Sequence, residues 1–164
     1  MKIPEVIIIF LALIMTFAVS HADPECGTGL GVIVGEPTGI SIKRWISGRH
    51  GVDAGVAWSF SGNSSLHLHA DYLIHSFTLL GSEVEKGKLP AYFGIGGRIK
   101  LGDKNDGKGG NDNDDLIGVR IPFGVSYLFE DAPVDIFLEV VPVLDVIPDT
   151  EFDLNGAVGA RFCF

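Results

Sequence analysis

From residue 154 to residue 164 the chain alternates without interruption. Leu154, Gly156, Val158, Ala160, Phe162 and Phe164 share one face of an extended segment, and Asn155, Ala157, Gly159, Arg161 and Cys163 share the other. The same period of two runs through residues 29–35, 39–45, 51–60, 65–75, 90–101, 116–129 and 134–144. Turn-forming connectors separate them, among them Glu36-Pro37-Thr38, Ser47-Gly48-Arg49-His50, Ser61-Gly62-Asn63-Ser64 and Glu130-Asp131-Ala132-Pro133. The spacing predicts eight strands and no helix-length amphipathic stretch in the body of the chain. Such strands must bury one face. Either the apolar faces close inward over a core, or they turn outward toward lipid around a polar interior.

The composition of the two faces favours the second arrangement. In the sixth segment Ile117, Val119, Ile121, Phe123, Val125, Tyr127 and Phe129 oppose Gly118, Arg120, Pro122, Gly124, Ser126 and Leu128. In the third, Val52, Ala54, Val56, Trp58 and Phe60 oppose Asp53, Gly55, Ala57 and Ser59; in the fourth, Leu66, Leu68, Ala70, Tyr72 and Ile74 oppose His67, His69, Asp71, Leu73 and His75. Across the segments the polar face mixes glycine with charges of both signs. A solvated face would more often carry Thr, Lys and Glu. Glycines and opposite charges suit a narrow interior, where Arg98, Arg120 and Arg161 are expected to pair with Asp53, Asp71 or Glu139, since a buried unpaired charge is costly. Large aromatics also collect near segment ends, at Trp58 and Phe60, Tyr127 and Phe129, and Phe162 and Phe164, as two belts at opposite membrane interfaces would require.

The start of the chain agrees with export. Lys2 precedes an apolar run from Val6 to Val19 broken only by Thr16, and Ser20-His21-Ala22 puts small residues three and one before a cut. Residues 1–22 therefore read as a signal peptide, shorter in its apolar run than the ~20 residues of a spanning helix. Residues 23–164 form one barrel domain in this reading. A net charge of −9 argues against nucleic acid as a partner. Outer-membrane lipid is the expected surrounding, with a surface ligand or protein partner and the oligomeric state left open. Cys26 and Cys163 are the chain's two cysteines. They fall just before the first strand and near the end of the last, and in a closed barrel with an even number of strands those points meet at one rim. A disulfide is the expectation, two unpaired small fillers the alternative.

The eight alternating segments and the terminal aromatic strand resemble the small eight-stranded outer-membrane barrels of the OmpA transmembrane-domain and OmpX type. The stretches GISIKRW (39–45), WSF (58–60), LHLHADY (66–72), GIGGR (94–98), GVRIPFGVSYLF (118–129) and DIFLEVVPVLD (135–145) are more closely similar to a bacterial family of small outer-membrane barrels without an assigned activity. The resemblance implies an all-β up-and-down transmembrane barrel in the bacterial cell outer membrane, and it brings no catalytic motif. Eight strands leave room for side chains and not for an aqueous channel. The role that follows is structural or surface-interacting. A soluble, calycin-like ligand carrier and a lipid-modifying enzyme are the alternatives.

No catalytic, cofactor or metal site is assigned. His67, His69, Asp71 and His75 share a face and could begin a zinc site, but one strand supplies too few converging ligands. Residues 102–115, GDKNDGKGGNDNDD, offer hard oxygen ligands at Asp103, Asn105, Asp106, Asp112, Asp114 and Asp115 without an EF-hand register, and read as a hydrated surface loop. Ser59 or Ser65 with His67 lacks a third orienting group for nucleophilic catalysis. Two features strain the simplest barrel. Pro122 and Pro142 fall inside strands, where each is expected to mark a bulge. The connection 76–88 is also long for a periplasmic turn.

Overall fold

The computed structural model describes residues 27–36, 38–59, 65–80, 86–102 and 116–164. The signal-peptide reading, Cys26, Phe60 and the acidic stretch 103–115 lie outside the described residues, as do the side chains of Ser59 and Ser65. Ten antiparallel strands make one sheet, and no helix occurs among the described residues. They are β1 (Thr28–Gly35), β2 (Thr38–Ser47), β3 (His50–Ser59), β4 (Ser65–Ser76), β5 (Gly87–Lys88), β6 (Ala91–Gly102), β7 (Leu116–Arg120), β8 (Phe123–Phe129), β9 (Val134–Ile147) and β10 (Glu151–Cys163).

The sheet closes on itself. Each of β1, β2 and β3 pairs with the next, β4 pairs with β6, and β6 pairs with both β7 and β8. Both of those pair with β9, β9 pairs with β10, and β10 returns to β1. Thr28 and Phe164 exchange backbone hydrogen bonds at one end, the terminal rim.

Two places separate these ten strands from the eight segments of the sequence. Gly87–Lys88 in the long connection adds two rungs beside Leu128 and Phe129. The sixth segment is cut into β7 and β8 at Ile121-Pro122. The expected bulges at the prolines do not form. Gly96 faces Arg120 and Phe93 faces Phe123, so the register runs unchanged past Pro122. On the other side Arg120 faces Val143 and Phe123 faces Val140, again in step, and Leu154 lies opposite Pro142 in an unbroken ladder. Pro122 still accepts from Gly94 N, and Pro142 from Ile121 N. Only the return bonds are missing, because neither ring nitrogen carries a proton. The register shifts lie elsewhere, between Trp45 and Ser47 and between Ile117 and Gly118.

Burial follows the alternation. Phe123 is 51% exposed and its chain neighbours in the same run, Val119 and Ile121, are exposed as well, while Arg120 between them is 2% exposed. Leu154, Val158, Phe162 and Phe164 face out, and Asn155, Ala157, Arg161 and Cys163 face in. Ala54 keeps the outward parity of Val52 and Val56, and its small side chain is largely covered between its half-buried register partners Ile42 and Ala70. Trp58 and Phe152 are exposed at the far rim; Phe129, Phe162 and Phe164 are exposed near the terminal rim, where Tyr127 meets Phe129 edge-on at 4.6 Å. Inside, the apolar part is a small cluster of Ile33, Leu73, Tyr92, Phe137 and Ala157. Most of the other buried side chains are polar or charged, with Val141 and Val143 among the exceptions.

Candidate functional site: the charged interior

Strand parity turns Lys43 (β2), Asp53 (β3), His69 and Asp71 (β4), Tyr92 and Arg98 (β6), Arg120 (β7), Asp135, Glu139 and Asp145 (β9) and Arg161 (β10) toward one another, all buried. Glycines make the room. A side chain at Gly55 would strike the His69 ring, and one at Gly96 the Asp71 carboxylate. The large polar group on one strand thus occupies the space its neighbour leaves, at positions the ladder puts side by side: Gly55 opposite His69, Gly96 opposite Asp71.

The charges fall into three tiers. Toward the terminal rim, Arg161 Nη2 contacts Asp53 Oδ2, Nε donates to Ser41 Oγ at 2.8 Å, and Nη1 lies 3.4 Å from Asp135 Oδ2. Its guanidinium carbon stands 3.7 Å from the centre of the Phe137 ring. Lys43 Nζ sits 3.7 Å from the same Asp135 oxygen and 4.4 Å from the Trp45 ring centre. In the middle, Arg120 Nε is 3.1 Å from both Asp71 oxygens, and its Nη2 is 3.0 Å from Oδ2. Arg120 Nη2 also lies 3.7 Å from Glu139 Oε1, and Glu139 Oε2 accepts from the Tyr92 hydroxyl at 3.0 Å. Toward the far rim, Arg98 Nε donates to Asp145 Oδ1 at 2.9 Å, and its Nη1 donates to Asp153 and Asn155, each at 3.1 Å.

Of the six interior charges read from the sequence, Arg161 meets Asp53, and Arg120 meets Asp71 and approaches Glu139. Arg98 meets none of the three acids expected for it. It pairs with Asp145 because β9 runs to Ile147, beyond the strand end read at residue 144, and the parity of Glu139, Val141 and Val143 carries on to Asp145. Lys43 was also missed, although Ile40 and Ile42 fix the parity of β2 and turn Ser41 and Lys43 inward. The histidines separate: His69 approaches Asp53 and Asp71, while His75 stacks with Trp45 at 4.2 Å and Tyr92 at 5.3 Å near the terminal rim. Cys163 is disulfide-bonded. For Ser59 and Ser65 only backbone pairing is described.

A family model described as a protein of unknown function, DUF3996, matches residues 20–162. The chain belongs to the DUF3996 family. No curated protein matches it. Among solved structures, this DUF3996 chain is similar to the N-terminal β-barrel domain of Pseudomonas aeruginosa OprF, with a TM-score of 0.57 and 12% identity over 84% of this chain and 95% of that one. At that identity the likeness is one of fold: a β-barrel.

Proposed function

We propose that the chain is an outer-membrane protein of bacteria, a side-chain-filled transmembrane barrel with a structural or surface-interaction role, which presents its far-rim loops to the outside and forms no bulk channel. One observation carries the reading: charged residues occupy the inside and Val, Ile, Leu and Phe the outside of a closed sheet. In water that arrangement would expose a continuous apolar surface and bury charge, both unfavourable. In lipid the outer face is solvated. Strand lengths agree. At ~3.3 Å per residue the ten residues of β2 and β3 reach about 33 Å, and a tilt of roughly 40° brings that near the ~25 Å apolar band of such barrels.

Because β7 and β8 continue one register between β6 and β9, they count as a single stave, which with the other long strands makes eight. Residues 1–22 serve as a cleaved signal peptide in this reading, and Cys26 closes onto Cys163 at the periplasmic rim. The barrel is taken as no enzyme, and a soluble ligand carrier is disfavoured by the outward apolar face. Membrane fractionation followed by gels of boiled and unboiled samples tests the proposal. A membrane-bound protein whose folded form migrates apart from the boiled one is expected. Recovery of the folded chain in detergent-free buffer overturns it, and a changed acyl or headgroup pattern in lipids incubated with the pure protein overturns its non-enzymatic part.

A further inference from the structure

The geometry points to a metal site: we infer that Asp53, His69 and Asp71 bind one divalent transition-metal ion, with zinc as the probe. The three residues each bring one ligand atom to within 4.8 Å of the others, and all three are buried. Asp53 and Asp71 are direct register partners on β3 and β4, so two carboxylates face each other across one rung, an arrangement that is unfavourable without positive charge between them. His69 lies two residues before Asp71 on the same strand and the same face.

His69 is the decisive residue. Its side chain is 2% exposed, and neither ring nitrogen has a hydrogen-bond partner. Nε2 stands 3.6 Å from Asp53 Oδ1. That is long for a hydrogen bond, but two ligands each about 2.0–2.2 Å from a tetrahedral zinc are separated by roughly 3.4 Å. The carboxylates keep capacity for an ion. Asp53 uses Oδ2 for Arg161 and Ser41, which leaves Oδ1 toward the imidazole. Asp71 receives Arg120 on both oxygens, and each retains a second lone pair.

The surrounding charge favours a cation. Around the triad, Lys43, Arg98, Arg120 and Arg161 stand against Asp53, Asp71, Asp135, Glu139 and Asp145, so the carboxylates outnumber the fixed cations by one. One imidazole with two carboxylates suits a borderline ion such as Zn²⁺ or Co²⁺, not a thiolate-seeking one. Gly55 and Gly96 hold open the space that the imidazole and the Asp71 carboxylate fill. This site depends on the interior geometry and is independent of whether the barrel sits in a membrane.

The test is to unfold the full chain in urea with a chelator, remove the chelator in urea, dilute the chain into detergent micelles with zinc chloride or cobalt chloride, and measure metal per folded chain after desalting in the same detergent. About one zinc per folded chain is expected, with a visible d–d absorption for the cobalt form that signals a low-coordinate site. His69→Ala should lower retained metal to background and abolish the cobalt band, while His50→Ala, which removes a rim imidazole, should leave both intact. If His69→Ala does not refold, His69→Gln and the wild-type cobalt spectrum decide. Failure of the wild type to retain stoichiometric metal overturns the proposal. So does retention that survives loss of His69, or a cobalt spectrum matching the aquo ion.

Discussion

Arg98 and Arg120 lie in the same interior, both nearly sealed from solvent, but their surroundings differ in kind. Arg98 forms two bonds to Asp145, one to Asn155 and one to Asp153, whose side chain is 47% exposed at the far rim. Arg120 is shared between Asp71 and Glu139, both deep in the interior, and its tier adjoins atoms that lack hydrogen-bond partners, including both nitrogens of His69 and, nearer the terminal rim, Lys43 Nζ and Asp135 Oδ1. The rim cluster is closed by the protein's own groups with an outlet to water. The central cluster is more crowded, less completely satisfied and has no such outlet, so losses there should cost more.

Arg120→Leu gives the largest expected effect. It leaves Asp71 and Glu139 as buried carboxylates without their cation, and removing one partner of a buried pair costs about 3–5 kcal/mol. On unboiled gels the folded band should convert at a markedly lower temperature than in the wild type. An unchanged transition would mean that the central tier does not hold the barrel.

Next, Phe123→Arg probes the outer face at the middle of the β7–β8 stave. If that face lies in lipid, a cation near the midplane costs about 2–4 kcal/mol and should lower the urea midpoint for folding into bilayers. A midpoint unchanged in lipid vesicles would show that this face is wetted and that Phe123 does not face lipid.

Gly159→Val tests whether the interior is filled. A Cβ at Gly159 meets the Phe137 ring and the Val32 carbonyl oxygen, so a branched side chain should strain the packing by about 1–3 kcal/mol. Phe137→Leu in the same chain should recover part of that loss by retracting the ring. No recovery would place the strain in the backbone contact instead.

How far the sequence could disclose this molecule depends on which property was read. Face assignment needs only a period of two, so the inward positions of Asp53, Asp71, Arg120, Glu139 and Arg161 were legible from local pattern. Pairing needs register between distant strands. The bond from Arg98 to Asp145 joins residues 47 apart, through a strand whose end was read three residues too early, just short of Asp145. Lys43 was equally legible, because Ile40 and Ile42 set the parity of β2 and leave Ser41 and Lys43 on the inner face. Pro122 and Pro142 were visible, but their effect was not. A missing N–H signals a lost bond equally whether the ladder bulges or runs on, and here it runs on. The triad of Asp53, His69 and Asp71 needed the β3–β4 register, which puts Asp53 beside Asp71 and Gly55 beside His69.

The smallest effect sharpens the contrast between the two arginines. Asp153→Asn removes one anion from Arg98, yet Asp145 and Asn155 still hold the guanidinium and the substituted amide can reach water. A half-exposed ion pair is worth about 0–1 kcal/mol, so the transition temperature should move little. In a double-mutant cycle, Arg98 with Asp153 should couple by less than ~1 kcal/mol, whereas Arg120 with Asp71 should couple several-fold more strongly. Equal couplings would mean that depth does not set the strength of these pairs. The far rim would then be as tightly fastened as the centre, through the bond from Nη1 to Asp153 that the exposed carboxylate would otherwise make dispensable.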